Sequence, residues 1–434
     1  MSFAATEIFR SLRIVNYRIW AAGALVSNIG TWIQRTAQDW LVLTELTHQS
    51  ASAVGIVMAL QFGPQLLLLP WTGFAADYFD QRKLLMATQA VMGALAIALG
   101  LLTVTGVVQL WHVYVFAFLS GCASAFDAPV RQTFVGELVG DSDLPNAVAL
   151  NSTSFNAARM VGPAAAGLLI AWAGTGWAFL INGVSFVAVL ASLWALRTSE
   201  LRPKARAKRT SSSFTEGFRY VRDRKDLTMV LMMLLLIGTF GLNFPIFIST
   251  MAVRVFHTDA AGYGLLSSIM AIGTLSGALL NAGRDKPRFL YLLYGAGAFG
   301  FGFLLAAVAP TYWLFAGALL IIGVAALTFL NTSNSLMQLS TEPSMRGRVM
   351  ALRLAVALGG APLGAPIVGW VADAAGPRWA LAVGAAAGFA AALSGTYARA
   401  RLAVRTVDRS RRPRGGRRAA PAAETIDLST TREI

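Results

Sequence analysis

Gly73-Phe-Ala-Ala-Asp77-Tyr-Phe-Asp80-Gln-Arg82-Lys83 stands between two apolar runs, residues 53–76 and 84–106. Each run is long enough to cross the bilayer, because a helix needs about 20 apolar residues for roughly 30 Å of hydrocarbon. The same alternation continues in both directions. Further spans are expected at 17–44, 110–133, 146–172, 176–196, 227–255, 261–282, 288–309, 312–337, 349–373 and 377–398, which makes twelve. Nearly all of the 36 Lys and Arg residues fall in every second connection. They sit at Arg10, Arg13 and Arg18, at Arg82 and Lys83, and along the loop from Arg197 to Lys225. Arg284, Lys286 and Arg288 follow, then Arg346, Arg348 and Arg353, then an arginine-rich tail. Lys and Arg accumulate on the cytoplasmic side, so both termini and the middle loop are expected in the cytoplasm of a bacterial inner membrane. The fold class is all-α and polytopic.

Composition narrows the function. Of the 434 residues 56% are hydrophobic and only 13% charged, against roughly 25% charge in ordinary soluble domains. The net charge of +15 does not indicate nucleic acid, because the basic residues flank membrane spans instead of forming one patch. Membrane lipids are the expected partner of that charge. The single Cys122 excludes an internal disulfide, and His48, His112 and His257 are scattered. No metal site, cofactor or catalytic residue is expected. There is no phosphate loop ending in Gly-Lys-Ser/Thr, and no metal cluster or Ser/His/Asp set for an intramembrane enzyme. The first span, without a cleavage pattern behind it, is expected to stay in the membrane.

The chain repeats itself. Gly162-Pro-Ala-Ala-Ala-Gly167, leading to Ala173-Gly-Thr-Gly-Trp177, returns about 202 residues later as Gly364-Ala-Pro-Ile-Val-Gly369, leading to Ala375-Gly-Pro-Arg-Trp379. Asn146 to Leu150 matches Arg348 to Leu352, and Gly73 and Asp77 have counterparts in Gly277 and Asn281. Duplicated halves are a transporter pattern. The expected division is a six-helix half 1–196, a linker 197–226, a second half 227–398 and a disordered basic tail 399–434. Phe214 to Tyr220 reads as a short amphipathic helix at the lipid surface.

The Gly73 to Lys83 stretch resembles the signature of the major facilitator superfamily. That resemblance implies two pseudo-symmetric six-helix halves and a latch made by Gly73, Asp77, Arg82 and Lys83. Gly73 would let two helices approach, and Arg353 would pair with Asp77 across the halves. Gly121-Cys-Ala-Ser-Ala-Phe-Asp127-Ala-Pro129-Val-Arg131, with Asn156-Ala-Ala-Arg159-Met-Val-Gly162-Pro163 and Phe179-Leu-Ile-Asn182, is similar to the drug:proton antiporter 3 group, also called transmembrane secretion effectors. The group includes bacterial multidrug exporters and exporters resembling the enterobactin exporter. The resemblance covers roughly residues 10 to 400 and implies a monomer. One departure is Ala117, where many proton-coupled exporters carry an arginine four residues before the glycine.

Charges within the spans are costly and mark function. Arg35 and Asp39 share a helix face at i and i+4. Asp39 is the candidate proton carrier, with an ion pair to Arg35 as the plain structural alternative. Asp127 and Arg131 form a similar pair, and Arg159 lies beside the Gly-Pro element, positioned to meet a substrate, Asp127 or Asp39. Pro163 frees a carbonyl and bends its helix, so Gly162, Pro163 and Gly167 are a candidate hinge or packing element. Gln34, Gln38, Gln61, Asn243, Asn331, Asn334 and Gln338 are expected to line a cavity for a small amphiphilic substrate. The resulting reading is a secondary exporter exchanging drugs for protons. The alternative is a dedicated exporter of an endogenous metabolite such as a siderophore.

Overall fold

The computed structural model describes residues 9–202, 214–282 and 287–411, and every regular element among them is helical. Helix α1 runs Val15–Trp40 and ends in a π turn, Leu41–Leu46. It is followed by α2 (Ala51–Leu67), α3 (Leu69–Tyr78), α4 (Gln81–Val104), α5 (Leu110–Leu138), α6 (Leu144–Ala173) and α7 (Thr175–Trp194). The linker carries α8 (Phe214–Asp223). Then come α9 (Lys225–Phe240), α10 (Phe244–Thr250) with its π turn Met251–Val255, and α11 (Ala260–Ala282). The chain continues through α12 (Phe289–Val308), α13 (Tyr312–Leu339), α14 (Arg346–Ala374) and α15 (Pro377–Arg411).

Among the described residues nine helical segments are long and apolar enough to cross a membrane. The three expected spans outside that group are the first, second and fifth. The reason is chemical: α1 carries Asn28, Gln34, Arg35, Gln38 and Asp39, α6 carries Asn151, Asn156 and Arg159, and the second span breaks at Leu68 between Pro64 and Pro70. Span seven also breaks, between Gly241 and Asn243, with Pro245 just inside α10. The last helix continues to Arg411, past residue 399 where a disordered tail is expected. The remainder of that tail, residues 412–434, lies outside the described residues.

The helices start and stop where local chemistry dictates. Ser50 caps α2 by accepting from the Ala53 amide at 3.2 Å, and Asp80 caps α4 by accepting from Lys83 at 3.0 Å. Such caps satisfy the orphan amides of a first helical turn. Gly174 and Gly376 follow α6 and α14 with φ of +88° and +100°, a conformation that spares a side chain. These two glycines are partners in the 202-residue repeat.

By packing, the chain forms two units. The first takes in the described residues of Met1–Arg209 with Pro245–Ala271 and Ala365–Asp373; the second takes in those of Thr210–Phe244, Ile272–Gly364 and from Ala374 on. The cut falls between Phe244 and Pro245, just past the break in span seven, and so does not coincide with the repeat.

In the first unit, the end where α1 turns into α2 (the far end) is sealed twice by the same device. A Cβ on Gly167 of α6 would lie 2.5 Å from the Ala260 carbonyl oxygen, and one on Gly369 of α14 2.5 Å from that of Ala51. Gly264 of α11 similarly meets the Pro163 carbonyl, and Gly55 of α2 meets that of Ala365. Close approach of backbones at small residues is what holds helices together in lipid. One corner of the seal is charged. Asp373 accepts from the Ala51 and Ser52 amides at 2.8 Å each, from Ser50 Oγ at 3.2 Å and from Arg254 at 2.5 Å. The matching corner has Thr175 Oγ1 donating to the exposed Glu45 at 3.2 Å.

In the second unit α8 is clipped to the start of α14. Glu216 pairs with Arg348 at 3.1 Å, and Arg224, held by Asp226, donates to the Ser340 carbonyl at 3.1 Å. Gly277, the repeat partner of Gly73, packs on Val324, where a Cβ would lie 2.6 Å from the carbonyl oxygen.

Gly73 makes no close approach within its own unit. A Cβ there would meet nothing within 4 Å; the first unit's close approaches are made at Gly55 and Gly369 instead. Gly73→Ala is therefore expected to leave thermal stability unchanged or raise it by up to about 1 kcal/mol. Gly369→Val should cost about 1–3 kcal/mol by overpacking. Melting curves of the detergent-solubilised variants check both, and an unstable Gly73→Ala would restore a packing role to that glycine.

Candidate functional site

The polar residues of α1 are set in place by α6. Gly162 has no side chain where α6 crosses Trp32, and a Cβ there would collide with the Trp32 Cβ. Phe155, further back on α6, meets the Trp32 ring edge-on at 5.9 Å. Arg159 lies between them, with its guanidinium carbon 5.7 Å from the centroid of the same ring. Pro163 has no amide hydrogen, so the helical hydrogen bond to the Arg159 carbonyl is missing. From α1 itself, Arg35 lies over Trp32 at 5.1 Å and over Phe62 of α2 at 5.6 Å. Phe62 is held by the neighbouring contact of Gly121 on the Gln61 carbonyl, where a Cβ would stand 2.5 Å away. Trp32 thus carries two cations, an arrangement worth about 0.5–2 kcal/mol for each guanidinium over a ring.

The structural alternative, an Arg35–Asp39 ion pair, is not formed among the described residues. Arg35 stays on the aromatic rings, and its buried Nε has no hydrogen-bond partner. Asp39, 8% exposed, instead accepts from the Tyr263 hydroxyl of α11 at 3.2 Å. The Tyr263 ring stacks on Trp40 with centroids 6.0 Å apart and planes 20° off parallel. Tyr263 is held there by its neighbour Gly264 against Pro163, and Ala164 donates to Ser268 Oγ at 3.1 Å. The Gly162, Pro163, Gly167 element is therefore a packing platform: it puts Arg159 on Trp32 and Tyr263 on Asp39.

Gln34 accepts from Asn182 at 2.5 Å, so its amide braces α1 against α7. Gln38 is buried and Gln61 half-buried. The remaining cavity candidates belong to the second unit. Asn243 is buried in the break of span seven, donating to the Thr239 carbonyl at 2.7 Å while its Oδ1 has no partner. Asn331 and Asn334 are half-buried on α13, and Gln338 is exposed.

Asp127 stands apart from this site and meets neither Arg159 nor Asp39. Its carboxylate takes Thr88 Oγ1 at 2.9 Å, Gln89 Nε2 at 2.6 Å and Arg131 at 2.9 and 3.0 Å, while Arg131 also donates to Asn28 at 3.1 Å. A buried ion pair satisfied this fully ties α1, α4 and α5 together and leaves no lone pair free for Arg159. Thr88 and Gln89 escaped the sequence reading, although a glutamine in an otherwise apolar run was a usable signal.

The latch candidates have separate fates. Arg82 donates to the Leu193 and Trp194 carbonyls at 2.7 and 3.3 Å and so caps the end of α7, a favourable position for a cation. Lys83 is exposed. Asp77 lies in α3, and its side chain is outside the described residues, as are Arg284 and Lys286 of the second copy. Arg353 donates to the Leu330 carbonyl at 2.9 Å and to Ser333 Oγ at 3.2 Å within the second unit.

Fold and site together define a class. The architecture matches that of a solved bacterial homologue of the iron transporter ferroportin in its inward-facing state, with a TM-score of 0.69 at 16% identity over 89% of this chain and 98% of that one. The protein is a multi-pass membrane transporter with the major facilitator superfamily fold. More narrowly, it belongs to the transmembrane secretion effector family of efflux transporters, whose family model matches residues 6–421. It is 25% identical to the staphyloferrin A transporter of Staphylococcus aureus, covering 80% of this chain and 87% of that one. It is 26% identical to the multidrug efflux pump Tap of Mycolicibacterium fortuitum, covering 81% and 88%.

Asp127→Ala strands Arg131 in a buried setting and is expected to cost about 3–5 kcal/mol. The double change Asp127→Leu with Arg131→Met should recover much of that loss. Thermal unfolding in detergent decides it; a double variant no better than the single one would show that Asp127 acts on something other than Arg131.

Proposed function

We propose that this transporter exports small hydrophobic or amphiphilic molecules across the bacterial inner membrane in exchange for protons, with Asp39 as the proton carrier. The observation that carries the reading is the buried Asp39 carboxylate, which accepts one hydroxyl hydrogen bond and makes no ion pair among the described residues. The multidrug pump Tap among the relatives supports the substrate class. The basic connections support a cytoplasmic location for both termini, with the far end facing outward.

In this mechanism Asp39 takes up a proton when the far end opens and gives it up on the cytoplasmic side after the far end has closed. Each change of charge is felt by Arg35 one turn away. Two unit charges ~6 Å apart interact by about 3 kcal/mol at an effective dielectric constant of ~20, enough to shift a two-state equilibrium more than a hundredfold. Arg159 shares the Trp32 ring with Arg35 and moves with it. Trp32, Phe62 and Trp40 give an apolar cargo aromatic surface at the same level.

A second reading, a dedicated exporter of one endogenous metabolite, is favoured by the staphyloferrin A transporter among the relatives and by two guanidinium groups without a carboxylate partner among the described residues. A narrow saturable preference for one compound would select it over the multidrug reading.

Fluorescent amphiphiles should accumulate in inside-out proteoliposomes with an acidic lumen, and collapse of the gradient should abolish the accumulation. Asp39→Asn should remove the dependence on the gradient; accumulation retained in that variant would move coupling to another acid. Orientation has its own check. In a background with Cys122→Ser, a cysteine at Asp259 should react with an impermeant maleimide on whole cells, and one at Lys83 only after permeabilisation. The reverse pattern would invert the topology.

A further inference from the structure

Tyr263 is the only described side chain that donates a hydrogen bond to Asp39, and it arrives there on α11 through a contact that belongs to the far-end seal. Its next residue, Gly264, touches the Pro163 carbonyl of α6, and Gly167 of α6 touches Ala260 at the start of α11. Any opening of the far end that parts α6 from α11 carries Tyr263 away from Asp39. We infer that Tyr263 is the positioning residue that makes the proton affinity of Asp39 depend on whether the far end is closed.

The reading rests on Asp39 being the proton carrier, and its physical basis is simple. A hydroxyl that donates to a carboxylate stabilises the charged form and so opposes protonation. With the far end closed, the Tyr263 hydroxyl lies 3.2 Å from Asp39 Oδ2, and the carboxylate releases its proton more readily. With the far end open, the hydroxyl is withdrawn, and the carboxylate loses that stabilisation of its charged form. Uptake is thus favoured toward the outside and release toward the cytoplasm, which is the direction an inward proton gradient demands. Other charged groups do not perform this switch. Arg35 is on the same helix as Asp39 and travels with it, Arg159 of α6 reaches the site through Trp32, and α7 presents the uncharged Asn182 to Gln34. Tyr263 alone comes from α11.

The stacking on Trp40 and the Gly264 contact fix the ring independently of the hydroxyl, so Tyr263→Phe removes the hydrogen bond and spares the packing. The full-length protein in proteoliposomes is assayed for amphiphile exchange across a pH series. The midpoint in Tyr263→Phe should move to higher pH by on the order of one unit, about a tenfold change in proton affinity. Gly264→Ala, whose added Cβ would push α11 off the Pro163 carbonyl and so carry the Tyr263 hydroxyl from Asp39, should move the midpoint in the same direction.

Transport need not survive for the test to work. The carboxylic-acid infrared band of Asp39, identified by its loss in Asp39→Asn, is titrated in folded Tyr263→Phe protein and should show the same upward shift. An unchanged midpoint in both measurements would overturn the role of Tyr263 while leaving Asp39 as carrier. Retention of the pH dependence and of the infrared band in Asp39→Asn would instead overturn the carrier assignment.

Discussion

Backbone meets backbone where Pro163 of α6 faces Gly264 of α11, and much of the described site follows from that contact. A side chain at residue 264 would collide with the Pro163 carbonyl and hold the helices apart. Without one, Ala164 reaches Ser268, Gly167 reaches Ala260, and Tyr263 reaches Asp39. On its other face α6 is drawn onto α1 by Gly162 at Trp32, which lays Arg159 over the same ring as Arg35. In lipid, where apolar side chains gain little by leaving the solvent, such contact of small residues is a principal source of helix attachment. The charges depend on it, because an arginine or aspartate within a span is tolerated only when it faces the protein interior.

The apolar runs and the alternation of basic loops made the all-helical membrane fold legible, because the bilayer imposes length and charge rules directly on sequence. The 202-residue repeat was equally legible, and it became a matched pair of contacts at Gly167 and Gly369. A second repeat was present but went unread. His48-Gln-Ser-Ala51-Ser-Ala-Val-Gly55 and His257-Thr-Asp-Ala260-Ala-Gly-Tyr-Gly264 share His, Ala and Gly at the same spacing, and supply the other partner of each contact. The preceding π turns, Leu41–Leu46 and Met251–Val255, extend the likeness, as does a positive φ in each connection, at Gln49 and one position earlier at His257.

The site was only partly legible for a different reason. Arg35, Asp39 and Arg159 announced themselves, since a charge in an apolar run has few innocent explanations. Their partners did not. Tyr263 is an unremarkable aromatic until its ring is stacked on Trp40, and helical spacing suggested that Arg35 would pair with Asp39 when aromatic rings in fact compete for it. Asp127 was legible only in part: spacing set it beside Arg131, but not beside Thr88 and Gln89 of the neighbouring helix, which complete its hydrogen bonds.

The two corners of the far-end seal share a backbone plan but differ in strength. At one, Asp373 gathers two amides, a hydroxyl and Arg254; at the other, Glu45 and Thr175 share a single hydrogen bond at an exposed edge. A seam with one firm edge and one weak edge opens as a door does, swinging about the side that holds. Here the side that holds is the α2–α14 contact at Asp373, and the lightly tied one is the contact of Glu45, beyond α1, with Thr175 of α7.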